Sequence, residues 1–172
     1  MIFFDLFDLR KLRRLVLYLL CVLLSVWLQT MVLSRVEILG AKPFFLPVLA
    51  VAIGLWDGGV WGGALGLVLG AYFDLCSAGS AVECMLLCTL FGFFTGLLGD
   101  FFLNRRFPAY LILAGAALVV TALVQALPLW IFRGTSPELL FPVALLQALW
   151  GLPFAVPVYF IVRRIAERET AR

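Results

Sequence analysis

The sequence predicts an all-α, polytopic membrane protein: a compact bundle of six transmembrane helices joined by short loops. Three observations lead to this fold class. The chain of 172 residues is 65% hydrophobic and 13% charged, and a soluble domain of this size could not cover so much apolar surface. The apolar residues fall into six segments, and the basic residues concentrate in alternate connections, as in chains that cross a membrane repeatedly.

The first segment follows a basic N-terminal stretch. Residues 1–14 combine large apolar side chains with four basic ones, and we interpret them as an interfacial, cytoplasmic N-terminus. An uncharged run over residues 15–33 comes next. A helix needs about 20 residues to cross a bilayer, so this run is long enough to be the first transmembrane helix.

The second and third segments are shorter. Residues 44–56 form an apolar run of 13 residues, which is marginal against the ~20 residues of a full crossing. Whether this segment crosses fully is therefore left open. A glycine-containing turn at residues 57–59 follows, because glycine accepts the positive φ of tight turns. The third helix is predicted over residues 60–73.

The rest of the chain predicts three further helices and a charged tail. The helices cover residues 82–103, 109–132 and 139–162. The last of them contains three prolines, each of which removes a backbone donor and favours a kink. Residues 15–162 thus form the transmembrane domain, and residues 163–172 form a cytoplasmic tail.

The distribution of basic residues predicts the orientation. If six segments cross, ten of the 13 Lys and Arg residues lie on the side of the N-terminus and three lie on the other side. This bias predicts that both termini are cytoplasmic. A five-crossing alternative, in which the second and third segments form one re-entrant unit, puts the basic tail outside and is disfavoured.

Two stripes of small residues mark the third and fourth helices. In each stripe the residues are spaced by four and end in an aspartate: Gly58, Gly62, Gly66, Gly70 and Asp74, then Cys84, Cys88, Gly92, Gly96 and Asp100. Residues four apart lie above one another on a helix, and small residues let two membrane helices approach closely. The stripes predict an antiparallel helix pair. A docking face for a helix of another protein is the alternative.

Polar side chains inside the apolar segments are few. Gln125 and Gln147 lie within the fifth and sixth helices. They could hydrogen-bond to each other across the bundle, a contact worth ~0.6 to 2 kcal/mol in membranes. They could also line a ligand pocket. Both interpretations remain open, and structural hydrogen bonding is favoured.

Several classes of chemistry are not expected. The chain contains no histidine, the commonest general base and metal ligand. Its four cysteines lack the spacing of a metal site, although a disulfide between Cys76 and Cys84 stays open. No Asp, Glu, Lys or Arg lies in the middle of a predicted crossing, which argues against a proton or ion pump. We expect no enzymatic activity, no cofactor, no metal and no nucleic-acid partner.

At the third and fourth helices the chain resembles the rod shape-determining protein MreD family. The resemblance rests on a proline-flanked apolar segment at residues 43–47, the element Gly66-x-x-x-Gly70-x-x-x-Asp74, a glycine in the next loop at Gly79, and a second glycine-rich helix with Gly92 and Gly96. It covers roughly residues 20 to 105.

The resemblance implies a non-enzymatic, multi-pass protein of the bacterial inner membrane that belongs to the cell-elongation and peptidoglycan-synthesis machinery. It implies binding to an MreC-type single-span scaffold. Indirect partners would be MreB, a RodA-type glycosyltransferase and a class B penicillin-binding transpeptidase, with membrane lipid around the bundle. The family is also similar to substrate-binding subunits of energy-coupling-factor transporters. A small-molecule-binding subunit of such a transporter is therefore the alternative function.

Overall fold

Six α-helices make up most of the chain that the computed structural model describes, which is residues 9–35, 42–77, 83–101, 107–133 and 137–170. The helices are α1 (Leu9–Met31), α2 (Leu46–Asp57), α3 (Gly59–Cys76), α4 (Glu83–Phe101), α5 (Phe107–Arg133) and α6 (Pro137–Thr170). A short 3₁₀ helix, Leu33–Arg35, follows α1. The predicted all-α fold class is confirmed for these residues.

Four of these helical regions are long and apolar enough to cross a membrane. They are Leu12–Arg35, Gly59–Cys76, Phe107–Pro128 and Leu140–Ala166. Two further apolar helices, Leu46–Asp57 and Glu83–Gly99, are shorter. The chain is therefore a multi-pass membrane protein by the length and composition of its helices, and a six-crossing topology stays a prediction.

Helix α2 lies at the centre of the bundle. It contacts α1, α3, α4, α5 and α6, and all residues from Leu46 to Leu55 are buried. A helix that is apolar on every side must be surrounded by apolar neighbours, and here those neighbours are protein. Twelve residues span about 18 Å. Helix α2 need not match the bilayer thickness, because protein rather than lipid encloses it.

Helix α1 shows how the outer helices divide their surface. Tyr18, Val22 and Val26 follow the four-residue spacing of one helix face and are buried against the bundle. Leu20, Leu24 and other large apolar side chains of α1 are exposed. In a bilayer this exposed apolar surface faces lipid, which is as apolar as the side chains themselves.

Helices α1 and α6 extend beyond their predicted ends. Helix α1 begins at Leu9 rather than at residue 15, and α6 continues to Thr170 rather than ending near residue 162. Both extensions are rich in Leu, Arg, Lys, Glu and Ala, which are good helix formers. Charge ends the apolar segment but does not end the helix, because a helix can continue into water.

An aromatic cluster joins α2, α5 and α6. The ring of Tyr159 in α6 lies 5.0 Å from that of Tyr110, 5.1 Å from that of Phe107 and 6.1 Å from that of Trp56, centroid to centroid. The Tyr110 hydroxyl donates to the carbonyl oxygen of Ala155 at 3.1 Å. These contacts hold the α5–α6 hairpin against the central helix.

Candidate functional site

The glycine stripes of α3 and α4 face each other. A Cβ atom built on Gly62 would lie 2.5 Å from the carbonyl oxygen of Gly92, and one built on Gly70 would lie 2.6 Å from the carbonyl oxygen of Cys84. Cβ atoms built on Gly66 and Gly96 would overlap backbone atoms of the opposite helix. Higher numbers on α3 meet lower numbers on α4, so the predicted antiparallel pair is present and its glycines are in backbone contact.

The same contact includes α2, through Gly54, which lies outside the two stripes of the sequence. A Cβ atom on Gly54 would overlap the carbonyl oxygen of Gly92, and one on Gly62 would overlap the Cα atom of Gly54. Three helices therefore meet at Gly54, Gly62 and Gly92. The four-residue spacing of the α3 stripe does not extend to Gly54, because the chain turns at Gly58, where φ is 86°.

Asp74 extends this interface to the start of α4. The Met85 backbone N–H donates to Asp74 Oδ2 at 2.9 Å. Met85 lies in the first turn of α4, where backbone donors have no partner within the helix. Asp74 continues the Gly66–Gly70 spacing by one more turn, which brings its carboxylate to that end of the antiparallel neighbour. Its carboxylate caps α4 from outside the helix.

We expect Asp74→Ala to lower the free energy of unfolding by about 1 kcal/mol, the usual effect of removing a cap. Asp74→Asn keeps a side-chain oxygen acceptor and should lose less. Thermal unfolding of both variants in detergent measures the difference. Equal losses in the two variants would show that the hydrogen bond to Met85 is not what stabilises the hairpin.

The other stripe residues have simpler positions. Cys84 and Cys88 are buried, with their sulfur atoms 3.7 Å apart on one face of α4. All four cysteines are free thiols. Asp100 lies near the end of α4, but its side chain is outside the described residues, as is Gly79 of the motif. The described residues contain no group of three or more His, Cys, Asp or Glu that could hold a metal.

A cavity of about 610 Å³ opens at one end of the bundle. Its wall is built from the ends of α1 and α3, the second half of α5, the start of α6 and residues 42–44, which precede α2. The cavity lies at this end of the bundle because α2 is short. Helix α2 reaches about 18 Å, well short of the ~30 Å hydrocarbon thickness, so the longer outer helices extend past its first residue and enclose a space above it.

Gln125 and Gln147 both line this cavity. The Gln147 Nε2 group donates to Gln125 Oε1 at 2.8 Å, which joins α5 to α6. The sequence left a cross-bundle hydrogen bond and a pocket wall as alternatives, and the structure has both. Each amide offers two donor hydrogens and an oxygen with two lone pairs, so one shared bond leaves hydrogen-bonding capacity for a ligand.

Gln29 fixes the floor of the cavity. Its Nε2 group donates to the carbonyl oxygen of Pro43 at 2.8 Å, and its Oε1 accepts from the Phe45 N–H at 3.3 Å. The side chain is buried. One amide thereby satisfies two backbone groups just before α2 and ties that helix to α1. Lys42 also lines the cavity and supplies a positive charge.

An ion pair at the opposite end of the bundle was not predicted. Arg14 of α1 pairs with Asp57 at the end of α2, and the Asp57 side chain is only 7% exposed. The Arg14 guanidinium also lies 5.8 Å from the centre of the Tyr18 ring. The sequence predicts Arg14 in the interfacial N-terminus and Asp57 in a turn. A clue was available, since an acid at the end of an apolar segment generally requires a partner.

The arrangement thus offers two features that can carry function. One is a hairpin of glycine-packed helices capped by Asp74. The other is a cavity with a paired amide on an otherwise largely apolar wall. Cavities of this volume and lining are typical of small-molecule sites. Comparison with protein-family models, with curated proteins and with solved structures finds no match to this chain.

Proposed function

We propose that the chain is a non-enzymatic inner-membrane component of the bacterial cell-elongation complex, which binds an MreC-type single-span scaffold. One observation carries the proposal: the residues of the Gly66-x-x-x-Gly70-x-x-x-Asp74 element all contact α4. Gly66 and Gly70 touch the backbone of α4, and Asp74 caps that helix. A motif with a defined physical task is a stronger basis for family resemblance than glycine content alone.

The packing of the stripes limits where the scaffold can bind. Because Gly62, Gly66 and Gly92 are buried against protein, they are not free to receive a helix of another protein. A scaffold helix would instead contact outward apolar side chains, such as those of Leu86, Leu90 and Phe94 on α4. The proposed binding is therefore within the membrane, where van der Waals packing drives helix association.

The orientation belongs to the same proposal. Both termini are cytoplasmic, and Arg35, Lys42 and Arg133 are on the outer side. MreB, a RodA-type glycosyltransferase and a class B penicillin-binding transpeptidase would be reached through the scaffold. The chain would provide a membrane platform for these partners rather than a reaction centre.

We expect the chain to co-purify with the scaffold from its native membrane in mild detergent. Protein mass spectrometry of an affinity pull-down identifies the partners. The matched control is a scaffold whose transmembrane span is replaced by that of an unrelated protein. This exchange should abolish the complex if binding occurs between membrane helices. Failure of the purified chain and the intact scaffold from the same cell to associate would refute the proposal.

The cavity favours a second candidate function: a small-molecule-binding membrane subunit of an energy-coupling-factor type transporter. Its volume of about 610 Å³ and the Gln125–Gln147 pair on its wall carry this candidate. In the proposed orientation the cavity opens to the outside, as substrate capture requires. The same pull-down discriminates the two functions, since this candidate expects an ATPase pair and a bound small molecule.

A further inference from the structure

Two of the three prolines inside α6 remove backbone donors near the middle of a membrane crossing. Pro153 and Pro157 lie within the continuous helix, and proline has no N–H. The carbonyl oxygens of Leu149 and Pro153 therefore have no donor four residues further on, where an α-helix supplies one. Pro153 is the central residue of the apolar stretch Leu140–Ala166. Both carbonyls belong to residues within about 6 Å of its midpoint, well inside the ~30 Å hydrocarbon region.

The same part of α6 is exposed on the outside of the bundle. Leu149, Pro153 and Pro157 are all exposed, and the side chains of Val156 and Phe160 are 41% and 54% exposed. A helical carbonyl points along the axis toward the residue four positions later. The Leu149 carbonyl thus lies between two exposed residues, and so does the Pro153 carbonyl. Both oxygens are on the outward face of the helix.

No donor in the described part of the chain reaches these two carbonyls. The Tyr110 hydroxyl donates to the carbonyl of Ala155 on the buried face of α6, but no described side chain donates to Leu149 or Pro153. Lipid tails carry no donor, and a helix in lipid tolerates proline where a neighbouring helix satisfies the freed carbonyl. The partial negative charge of the two oxygens is therefore complementary to a partner that brings donor hydrogens.

We propose that this face of α6 docks a transmembrane helix of another protein, which carries two hydroxyl or carboxamide side chains four residues apart. The exposed side chains of Leu145, Leu149, Val156 and Phe160 recur at the spacing of one helix face and supply the apolar contacts on either side of Pro153. The two carbonyl oxygens supply the polar contacts. Hydrogen bonds between helices are one of the forces that hold membrane helices together.

A second copy of the chain, meeting this face with its own α6, does not fit as the occupant. The exposed side chains of α6 from Phe141 to Ile161 are all hydrocarbon, and the Trp150 Nε1 group is buried. Two such faces would therefore place carbonyls against carbonyls. Helices α4 and α6 share no contact among the described residues. The face is thus separate from the α4 surface proposed for the scaffold, and the inference goes beyond the proposed function.

The test uses the full chain in phosphatidylcholine liposomes and a fluorescent, leucine-rich single-span peptide with two central serines four residues apart. Energy transfer from the chain, labelled at its C-terminus, measures association. We expect the serine peptide to bind about eightfold more tightly than the same peptide with alanines, at about threefold for each interhelical hydrogen bond. Pro153→Ala/Pro157→Ala restores both backbone N–H groups, so this double variant should fold and lose the preference for serine.

The matched control is Pro142→Ala. The carbonyl that Pro142 leaves without a donor belongs to Glu138 at the start of α6, within reach of water, so this variant should keep the preference. Thermal unfolding in detergent reports whether each variant folds. Equal binding of the serine and alanine peptides to the wild-type chain would overturn the proposal, and so would a preference that survives in the double variant. Energy transfer between two labelled copies that is lost in the double variant would also overturn it, because a second copy would then occupy the face. The scaffold is absent from this assay, so none of these results decides the proposed function.

Discussion

Gly66→Leu should abolish the folded bundle, and this is the largest effect we expect from a single substitution. Even the first side-chain atom, a Cβ on Gly66, would overlap the backbone of Cys88. Backbone atoms cannot rotate away as a side chain can, so α3 and α4 would have to separate. Separation would also break the contact with α2 at Gly54. Size-exclusion chromatography in detergent should show little monodisperse protein, and Gly96→Leu should behave alike.

Two glycine-to-alanine variants, Gly115→Ala and Gly66→Ala, provide the matched control. A Cβ on Gly115 in α5 would meet only the Leu152 side chain at 3.9 Å, an ordinary contact distance. Gly115→Ala should therefore raise stability, by up to about 1 kcal/mol from helix propensity. Gly66→Ala gains the same propensity but should lose about 1–3 kcal/mol or more from overpacking. Opposite shifts of the unfolding temperature are expected. A folded Gly66→Leu monomer that has lost only a partner would instead make the stripe a docking surface.

These expectations rest on the part of the fold that local sequence patterns specify well. The α3–α4 pair was predictable because both stripes repeat every four residues, and Asp74 lies in the same register as Gly66 and Gly70. Such a register predicts a shared helix face without knowledge of the rest of the chain. The approximate positions of all six helices follow from apolar segment length in the same way.

The central position of α2 was harder to predict. Its segment is apolar on all sides, which agrees with burial in protein and with a short crossing through lipid. Hydropathy does not distinguish the two, because lipid and a protein interior are similarly apolar. The deciding fact is that five other helices enclose it. Gly54 was missed for the same reason, since its contact with Gly92 exists only once three helices meet.

The cavity was predictable only in part. Gln125 and Gln147 stand out because amides are rare in apolar segments and each needs a hydrogen-bond partner. Their sequence separation does not say whether they meet, and the volume beside them depends on how far α2 falls short of its neighbours. The start of α1 and the end of α6 were predicted too far inward, because the apolar pattern marks the bilayer rather than the helix.

Arg14→Leu should be the most destabilising change at the other end of the bundle. It leaves the Asp57 carboxylate, which is 7% exposed, without its cation in an apolar setting. Breaking a buried ion pair from one side costs about 3–5 kcal/mol. Asp57→Leu should cost less, because the Arg14 side chain is 30% exposed and a long arginine can extend its charge toward water or headgroups.

The double variant Arg14→Leu/Asp57→Leu distinguishes the energy of the ion pair from the effect of leaving one charge unpaired. It leaves no buried ion unpaired, and hydrophobic replacement of a buried pair is often neutral or stabilising. We therefore expect it to unfold near the wild-type temperature, with a large coupling energy in a double-mutant cycle. Arg13→Leu removes the same charge from an exposed neighbour and should change stability by less than about 1 kcal/mol. If Arg13→Leu and Arg14→Leu unfold alike, overall charge at the N-terminus governs stability. If only Arg14→Leu is destabilised and the double variant recovers, the ion pair fixes how α1 meets the central helix.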